Sequence, residues 1–507
     1  MKHSVLAAFL FFPFLFFFSD SAAQPKYEFR GVWIATVDNI DWPSKGNFNT
    51  DSQKLEFIRQ LDRHKRNGIN AVIVQVRPAA DAFYPSPYEP WSEWLTGKQG
   101  KPPSPYYDPL AFMIEETHKR GMEFHAWCNP YRAVFNVGHA SISPTHVTRI
   151  HPGWFMTYGD VKYFDPGNKE VQQYVTGVIR DMVSRYDIDA VHFDDYFYPY
   201  RIPGREFPDD ASWRKNGNGM EKDEWRRANT DSIIVMLGRA IREEKKYCKF
   251  GISPFGVWRN RDKDPEGSET RAGQTNYDDL YADILLWLKN GWIDYVAPQL
   301  YWEFGQRAAP YEVLLDWWAR HTYGRQCYIG LGIFKAGSSP AWREKSQIPR
   351  QIQALRSTEN VQGMIFFSSA SFEKNPNGWN DSLQENYFRY EALIPPMEWI
   401  DSIKPPKPLA EITGTSSYFD FRTLHMKPRE SSKSVKAFVV YRFALDDSVL
   451  DRNNALSIYR IIPSAVECSI LLPNEDANNF QLAVSCIDTH NNESEAEFLP
   501  VLLQNPK

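Results

Sequence analysis

Eight short apolar, β-rich runs alternating with segments of helical spacing occupy about 365 residues of the 507-residue chain. That alternation constrains the fold most, because strand–helix repeats bury both faces of a parallel sheet under helices. The runs begin with Gly31-Val-Trp-Ile-Ala-Thr and Ala71-Val-Ile-Val-Gln-Val, separated by apolar positions Leu55, Ile58 and Leu61. Glu123-Phe-His-Ala-Trp-Cys, Ala190-Val-His-Phe and Phe250-Gly-Ile-Ser-Pro-Phe follow, then Tyr295-Val-Ala-Pro-Gln-Leu-Tyr-Trp, Tyr328-Ile-Gly-Leu-Gly and Gly363-Met-Ile-Phe-Phe-Ser. Helices are predicted over 109–120, 171–186, 223–244, 280–289, 311–321 and 348–356, with a closing helix before Ile394-Pro395-Pro396. The α/β class is therefore expected as a (β/α)8 TIM barrel over 26–395, enlarged by its loops beyond the roughly 250 residues usual for that fold. An open doubly wound sheet is the alternative, but no Gly-rich phosphate turn follows the first strand.

Residues 396–408, with Pro405-Pro406-Lys407-Pro408, have linker composition. Beyond them, alternating runs at 437–443, 456–460, 468–472 and 480–487 predict a small all-β immunoglobulin or fibronectin III-like sandwich over 409–507. Such a unit is expected to be a spacer or packing partner, with weak sugar binding or surface adhesion as the other readings.

Lys2 and His3, the apolar run Val5 to Phe18, and Ser21-Ala22-Ala23 have the pattern of a secretory signal over residues 1–23. The mature chain is then expected to begin near Gln24 and to be periplasmic or extracellular. The apolar run is shorter than the roughly 20 residues of a spanning helix, so no membrane span is expected. No Cys stands at the cleavage site, which argues against a lipid anchor. Of five Cys, Cys128, Cys248 and Cys327 fall on core strands, whereas Cys468 and Cys486 lie on strands read as neighbours and are close enough in pattern to bridge. No metal site of Cys/His spacing and no cofactor is expected. A net charge of −5 excludes the electrostatic footprint of a nucleic-acid binder, and a monomer is expected.

The fourth run ends in Asp194-Asp195, followed by Tyr196-Phe-Tyr-Pro-Tyr. Adjacent carboxylates raise each other's cost of ionisation, so one can stay protonated and serve as an acid. Tyr and Trp offer stacking faces for sugar rings, and aromatics at 15% of the chain exceed what packing requires. The plainer readings are a helix cap or a structural cation site. On a regular strand the two side chains point to opposite faces, so both reach one ligand only if the strand has ended by Asp194. One scheme makes Asp195 the acid while Asp194 orients a substrate 2-acetamido group that attacks its own anomeric carbon; the other pairs Asp195 with Glu303 after strand six. Arg77, Asp81, Asn129, Arg132, His192, Tyr196, Gln299, Tyr301 and Trp302 are the candidate substrate-binding residues, each near a strand end. Arg77 and Arg132 suit a carboxylate such as the lactyl group of muramic acid, against the alternative of salt bridges inside the barrel mouth. His192 reads equally as a core residue.

Phe29-Arg-Gly-Val-Trp-Ile-Ala-Thr, Gln75-Val-Arg-Pro-Ala-Ala-Asp-Ala-Phe-Tyr-Pro-Ser, Ala126-Trp-Cys-Asn-Pro-Tyr-Arg and Val191-His-Phe-Asp-Asp-Tyr-Phe-Tyr-Pro occur in that order, with Ser253-Pro-Phe-Gly and Pro298-Gln-Leu-Tyr-Trp. Together they resemble the glycosyl-hydrolase-like 10 family of bacterial barrel proteins over residues 26 to 395. The resemblance implies a secreted glycoside hydrolase acting on N-acetylated bacterial envelope polysaccharide, peptidoglycan strands above all. A non-catalytic polysaccharide-binding barrel is the alternative.

Overall fold

In the computed structural model, residues 24–413, 421–430, 435–447 and 449–500 are described. The signal-like segment 1–23 lies outside them. Eight parallel strands close a barrel: β1 (Phe29–Ile34), β2 (Ala71–Arg77), β3 (Glu123–Cys128), β4 (Ala190–Phe193), β5 (Lys249–Ile252), β6 (Tyr295–Val296), β7 (Gln326–Leu331) and β8 (Gly363–Phe366). Each pairs with its sequence neighbours, and β8 pairs with β1 to leave no edge, so the open doubly wound alternative is excluded.

Outside lie α1 (Thr50–Arg66), α2 (Pro109–His118), α3 (Lys169–Arg185), α4 (Lys222–Glu244), α5 (Ile284–Lys289), α6 (Tyr311–Arg320) and α7 (Gln347–Arg356). Local chemistry sets several starts: the Asn49, Asp108 and Asn168 side chains accept from the first turns of α1, α2 and α3. Strand alternation then sorts the layers. Phe124, Ala126 and Cys128 of β3 join the cluster beneath the helices, while Glu123, His125 and Trp127 face the barrel interior with Trp33, Tyr295 and Tyr328.

Several predicted elements are shorter in the structure, the strand read to Phe255 ending at Ile252 and the helix read from 280 beginning at Ile284. Regular β6 stops at Val296 rather than Trp302 because Pro298 offers no N–H to a ladder; Gln299 continues only as isolated bridges to Phe255 and Gly330. The closing helix is broken into Ser369–Lys374 and Trp379–Ser382 by Asn375-Pro376-Asn377-Gly378.

The C-terminal residues form two antiparallel sheets. One is β9 (Leu409–Thr413), β10 (Phe421–Lys427) and β13 (Cys468–Pro473); the other runs β12 (Ile458–Pro463), β11 (Val435–Ala444), β14 (Phe480–Asp488), β15 (Glu497–Phe498). Leu424, Phe438, Val440, Leu472, Leu482 and Val484 fill the space between them. Cys468 and Cys486 therefore stand on opposite sheets rather than on neighbouring strands, and both are free thiols, Cys486 Sγ donating to Pro406 O at 3.2 Å. The other face of the four-stranded sheet packs on Leu393 and Tyr27 of the barrel.

The Pro-rich segment does not hang free. Ile394 and Met397 plug the N-terminal end of the barrel, Trp399 Nε1 donates to Asp294 Oδ1 at 3.0 Å, and Gln326 Nε2 donates to Pro396 O at 2.8 Å. Beside this plug sits buried Glu123, which accepts from Lys249 Nζ at 2.5 and 2.6 Å, from Lys436 Nζ at 3.2 Å and from Asn491 Nδ2 at 2.9 Å. Lys436 and Asn491 belong to the C-terminal sheets, so one carboxylate ties the two parts together. No helix among the described residues is long and apolar enough to cross a membrane.

Removing one partner of a buried ion pair strands the other charge. Glu123→Ala is therefore expected to lower unfolding free energy by about 3–5 kcal/mol in urea titration, and adding Lys249→Met to recover part of that loss. Equal stability of the single and double variants would show that Lys249 is not the group that suffers.

Candidate active site

Strand β4 ends at Phe193, so Asp194 continues the inward alternation of Ala190 and His192 while the chain bends at Asp195. The bend frees Asp195 from the outward position that a regular strand would impose. The two buried carboxylates then meet different surroundings. Asp194 accepts from Trp127 Nε1 at 3.1 Å and from Asn129 Nδ2 at 3.0 and 3.2 Å. Burial raises its pKa, while the Arg132 charge and these donors act in the opposite direction. Asp195 accepts from the Tyr200 hydroxyl. Burial, followed by the neighbouring Asp194, pushes its carboxyl up to about 7, with Tyr200 and Gln299 opposing. One carboxylate thus sits among an indole, an amide and a cation, and the other keeps its proton to near neutrality. Neither carboxylate caps a described helix, and the donors on their oxygens are side chains of the barrel mouth.

Arg132 is placed by its own main chain, whose N–H donates to Asn129 Oδ1 at 2.7 Å, and by Nε donating to Pro78 O at 3.0 Å. Its guanidinium lies 5.5 Å from the Tyr196 ring centroid and 5.5 Å from that of Phe135. It forms no ion pair with a described residue. Arg77 differs: fully buried, it grips Glu89 through Nε at 2.8 Å and Nη2 at 2.5 Å, and Nη1 donates to Asn129 O at 2.5 Å. The salt-bridge alternative describes Arg77, which braces the loops after β2 and β3 and through Asn129 supports Asp194.

Asp81 is also buried in the loop after β2, accepting from Ala79 N and from Gln99 Nε2, both at 3.2 Å, with burial pushing its carboxyl up to about 7. His192 lies inside the barrel, between Tyr295 OH at 2.9 Å on Nδ1 and Ser253 Oγ at 2.9 Å on Nε2. Burial holds it well below its ordinary pKa and so neutral, the core reading of this residue. Gln299 Nε2 donates to Ser253 O at 3.0 Å, and Tyr301 is close enough to Asp195 to feel its charge. Glu303 accepts from Trp342 Nε1 at 3.0 Å and has no hydrogen bond to either aspartate; Trp302 stacks edge-on against Phe255 at 5.5 Å.

Trp127 and Tyr200 are donors to the pair that the candidate set omits. Strand alternation was the available signal for Trp127, the last inward-facing side chain of β3, two residues before Asn129. Tyr200 carried none, because a hydroxyl five residues beyond Asp195 reaches back only through the bend.

The glycosyl hydrolase-like 10 family model matches residues 28–346. The chain belongs to the glycosyl hydrolase-like 10 family. A relative described as glycosyl hydrolase YngK of Bacillus subtilis is 47% identical over 426 residues, 83% of each chain. Another, glycosyl hydrolase DigH of Escherichia coli, is 40% identical over 376 residues, 69% of this chain and 84% of that one. Among solved structures, the PgaB (BpsB) glycoside hydrolase domain of Bordetella bronchiseptica has TM-score 0.44 and 13% identity over 71% of this chain and 99% of that one. This member of the family keeps its two vicinal carboxylates in the loop mouth above a closed barrel.

An aspartate raised from 3.8 to about 7 on folding binds its proton more tightly in the folded state. The resulting stability is present below pH 3.8 and is lost progressively as pH rises to about 7. Asp195→Asn should therefore stabilise the fold increasingly over that window and by a constant amount above it, at most roughly 4 kcal/mol. Melting temperatures of both proteins from pH 4 to 8 measure this, and a pH-independent difference would contradict it.

Proposed function

We propose that this protein is a secreted, monomeric glycoside hydrolase that cuts N-acetylated polysaccharide of the bacterial envelope, above all peptidoglycan glycan strands. The observation that carries the reading is the vicinal pair at the end of β4, two buried carboxylates in unlike surroundings, Asp194 held by the Trp127 and Asn129 donors and Asp195 with its carboxyl pushed up to about 7. Membership of the family and relatives described as glycosyl hydrolases support the reaction class. The sequence pattern of residues 1–23 supports export.

Asp195 donates its proton to the glycosidic oxygen, and the bond from anomeric carbon to that oxygen breaks with its electron pair leaving on the oxygen. The carbonyl oxygen of the substrate's 2-acetamido group attacks the anomeric carbon, closing an oxazolinium ring whose positive charge faces ionised Asp194. Water then opens the ring and returns a proton to Asp195. The alternative scheme pairs Asp195 with Glu303, whose carboxylate accepts from Trp342 Nε1 at 3.0 Å. Arg132, free of carboxylate partners, serves an anionic sugar substituent. The C-terminal sheets, seven strands in two layers among the described residues, are read as fibronectin III-like and as a packing partner for the barrel floor.

Purified protein should shorten glycan strands in mass spectra of digests, with kcat/KM falling as pH rises through about 7, where Asp195 loses its proton. Asp195→Asn should abolish the products while strand binding persists; binding without products in the wild type would leave a non-catalytic polysaccharide-binding barrel. Arg132→Ala should weaken hydrolysis of muramic-acid strands more than of chitin oligosaccharides of equal length, by on the order of 1.5–3 kcal/mol. Equal losses on the two substrates would confine Arg132 to holding Asp194 ionised.

A further inference from the structure

The partly exposed aromatic rings of the mouth are not scattered. From Asp195 toward the later strands, Tyr196 and Tyr200 have centroids 5.3 Å apart, Tyr200 and Phe255 6.1 Å, and Phe255 and Trp302 5.5 Å. From Asp194 toward the earlier strands, the Arg132 guanidinium bridges Tyr196 to Phe135 at 5.5 Å from each ring, and Phe135 meets Trp94 at 5.8 Å. The row thus passes the two carboxylates and continues on both sides of them, from the loop after β6 to the loop after β2. Fully buried rings of this kind would serve packing alone, but every ring in the row keeps some exposed surface.

Beyond Trp94 the row opens into a cavity of about 560 Å³ among the loops after β1, β2 and β3. Its wall includes Phe48, 49% exposed. The Phe48 ring is seated against Gly97, where a Cβ would come within 2.7 Å of its Cζ, so backbone packing fixes one side of the ring while the other meets solvent. Asn39, Glu93, Asn136 and His139 edge the same cavity. Stacking faces rimmed by hydrogen-bonding groups match the amphipathic faces of pyranose rings.

We propose that this row is a strand-binding rail that holds a polysaccharide on both sides of Asp194–Asp195, with the Phe48–Trp94 cavity as its distal subsite, so that cleavage falls within the chain and not at its end. The proposal rests on the glycoside hydrolase reading and adds the binding mode. A terminal-sugar enzyme needs a wall beyond the carboxylates, whereas here the aromatic row leads away from them in two directions.

The test uses the full chain carrying Asp195→Asn, which binds without turnover, titrated calorimetrically with N-acetylglucosamine oligosaccharides of two to eight sugars. Affinity should climb with length. Phe48→Ala and Trp94→Ala should each remove roughly three- to tenfold from the longest strands, the scale of one aromatic contact, and less from the shortest. Phe135→Ala reads the same arm if Trp94→Ala does not fold. Wild-type digests of long strands should contain products of intermediate length from the earliest times. A length dependence that survives all three substitutions, or the release of only mono- or disaccharides from the outset, overturns the rail while leaving hydrolysis intact. Rail-dependent binding by a wild type that never cleaves supports the rail and removes the hydrolase reading. No binding at any length overturns both.

Discussion

A carboxylate at the floor of the barrel organises much of this molecule. Glu123 is fully desolvated, and such a charge persists only where it is paired and hydrogen-bonded. Lys249 supplies the charge, and Lys436 and Asn491 bring the C-terminal sheets to it. On the inner side, His125 Nε2 lies 3.0 Å from Glu123 Oε2. Upward from there run His125 Nδ1 to Tyr295 OH at 2.9 Å, Tyr295 OH to His192 Nδ1 at 2.9 Å, and His192 Nε2 to Trp33 Nε1 at 3.3 Å. An indole N–H can only donate, so Nε2 of His192 accepts and the proton sits on Nδ1. That choice passes down the column: Nδ1–H donates to Tyr295, Tyr295 to His125, and His125 to Glu123. The interior is a directed hydrogen-bonded column, not an oily plug, and it fixes the rotamers beneath the mouth. Gly251 makes room for it, since any Cβ there would overlap the Tyr295 ring.

At the top of the barrel the same physics has a different outcome. Asp194 and Asp195 are as buried as Glu123, yet neither has a salt bridge. Asp194 is served by two side-chain donors and a cation nearby, whereas Asp195 faces that carboxylate as well as the low-dielectric interior. Because the strand ends between His192 and the pair, neighbours in sequence acquire unequal environments. Arg77 and Glu89 matter here without facing a ligand: their ion pair locks the loop whose Asn129 holds Asp194.

Alternation of apolar runs with helical spacing marked a parallel sheet covered on both faces, which a barrel and an open doubly wound sheet both provide; the pairing of β8 with β1 decided for the barrel. The sequence by itself also carried the aspartate pair, the motifs that resemble the family, and, in short alternating runs, the two-sheet tail, all of them local features of the chain. Tertiary structure alone decided what each polar residue does. Arg77 and Arg132 look alike in sequence, but Arg77 grips a carboxylate twelve residues away at Glu89, whereas Arg132 acts on Asp194 without an ion-pair contact. His192 became a column residue because Tyr295 and Trp33 lie beside it, 103 and 159 positions distant. Pro-rich 396–408 has the composition of a spacer, yet Met397 and Trp399 pin it to the floor. Cys468 and Cys486 were separated by the assignment of their strands to different sheets. Period and composition are local properties of a chain, whereas partners, desolvation and protonation arise from contacts across it, and these exist only once the barrel has closed.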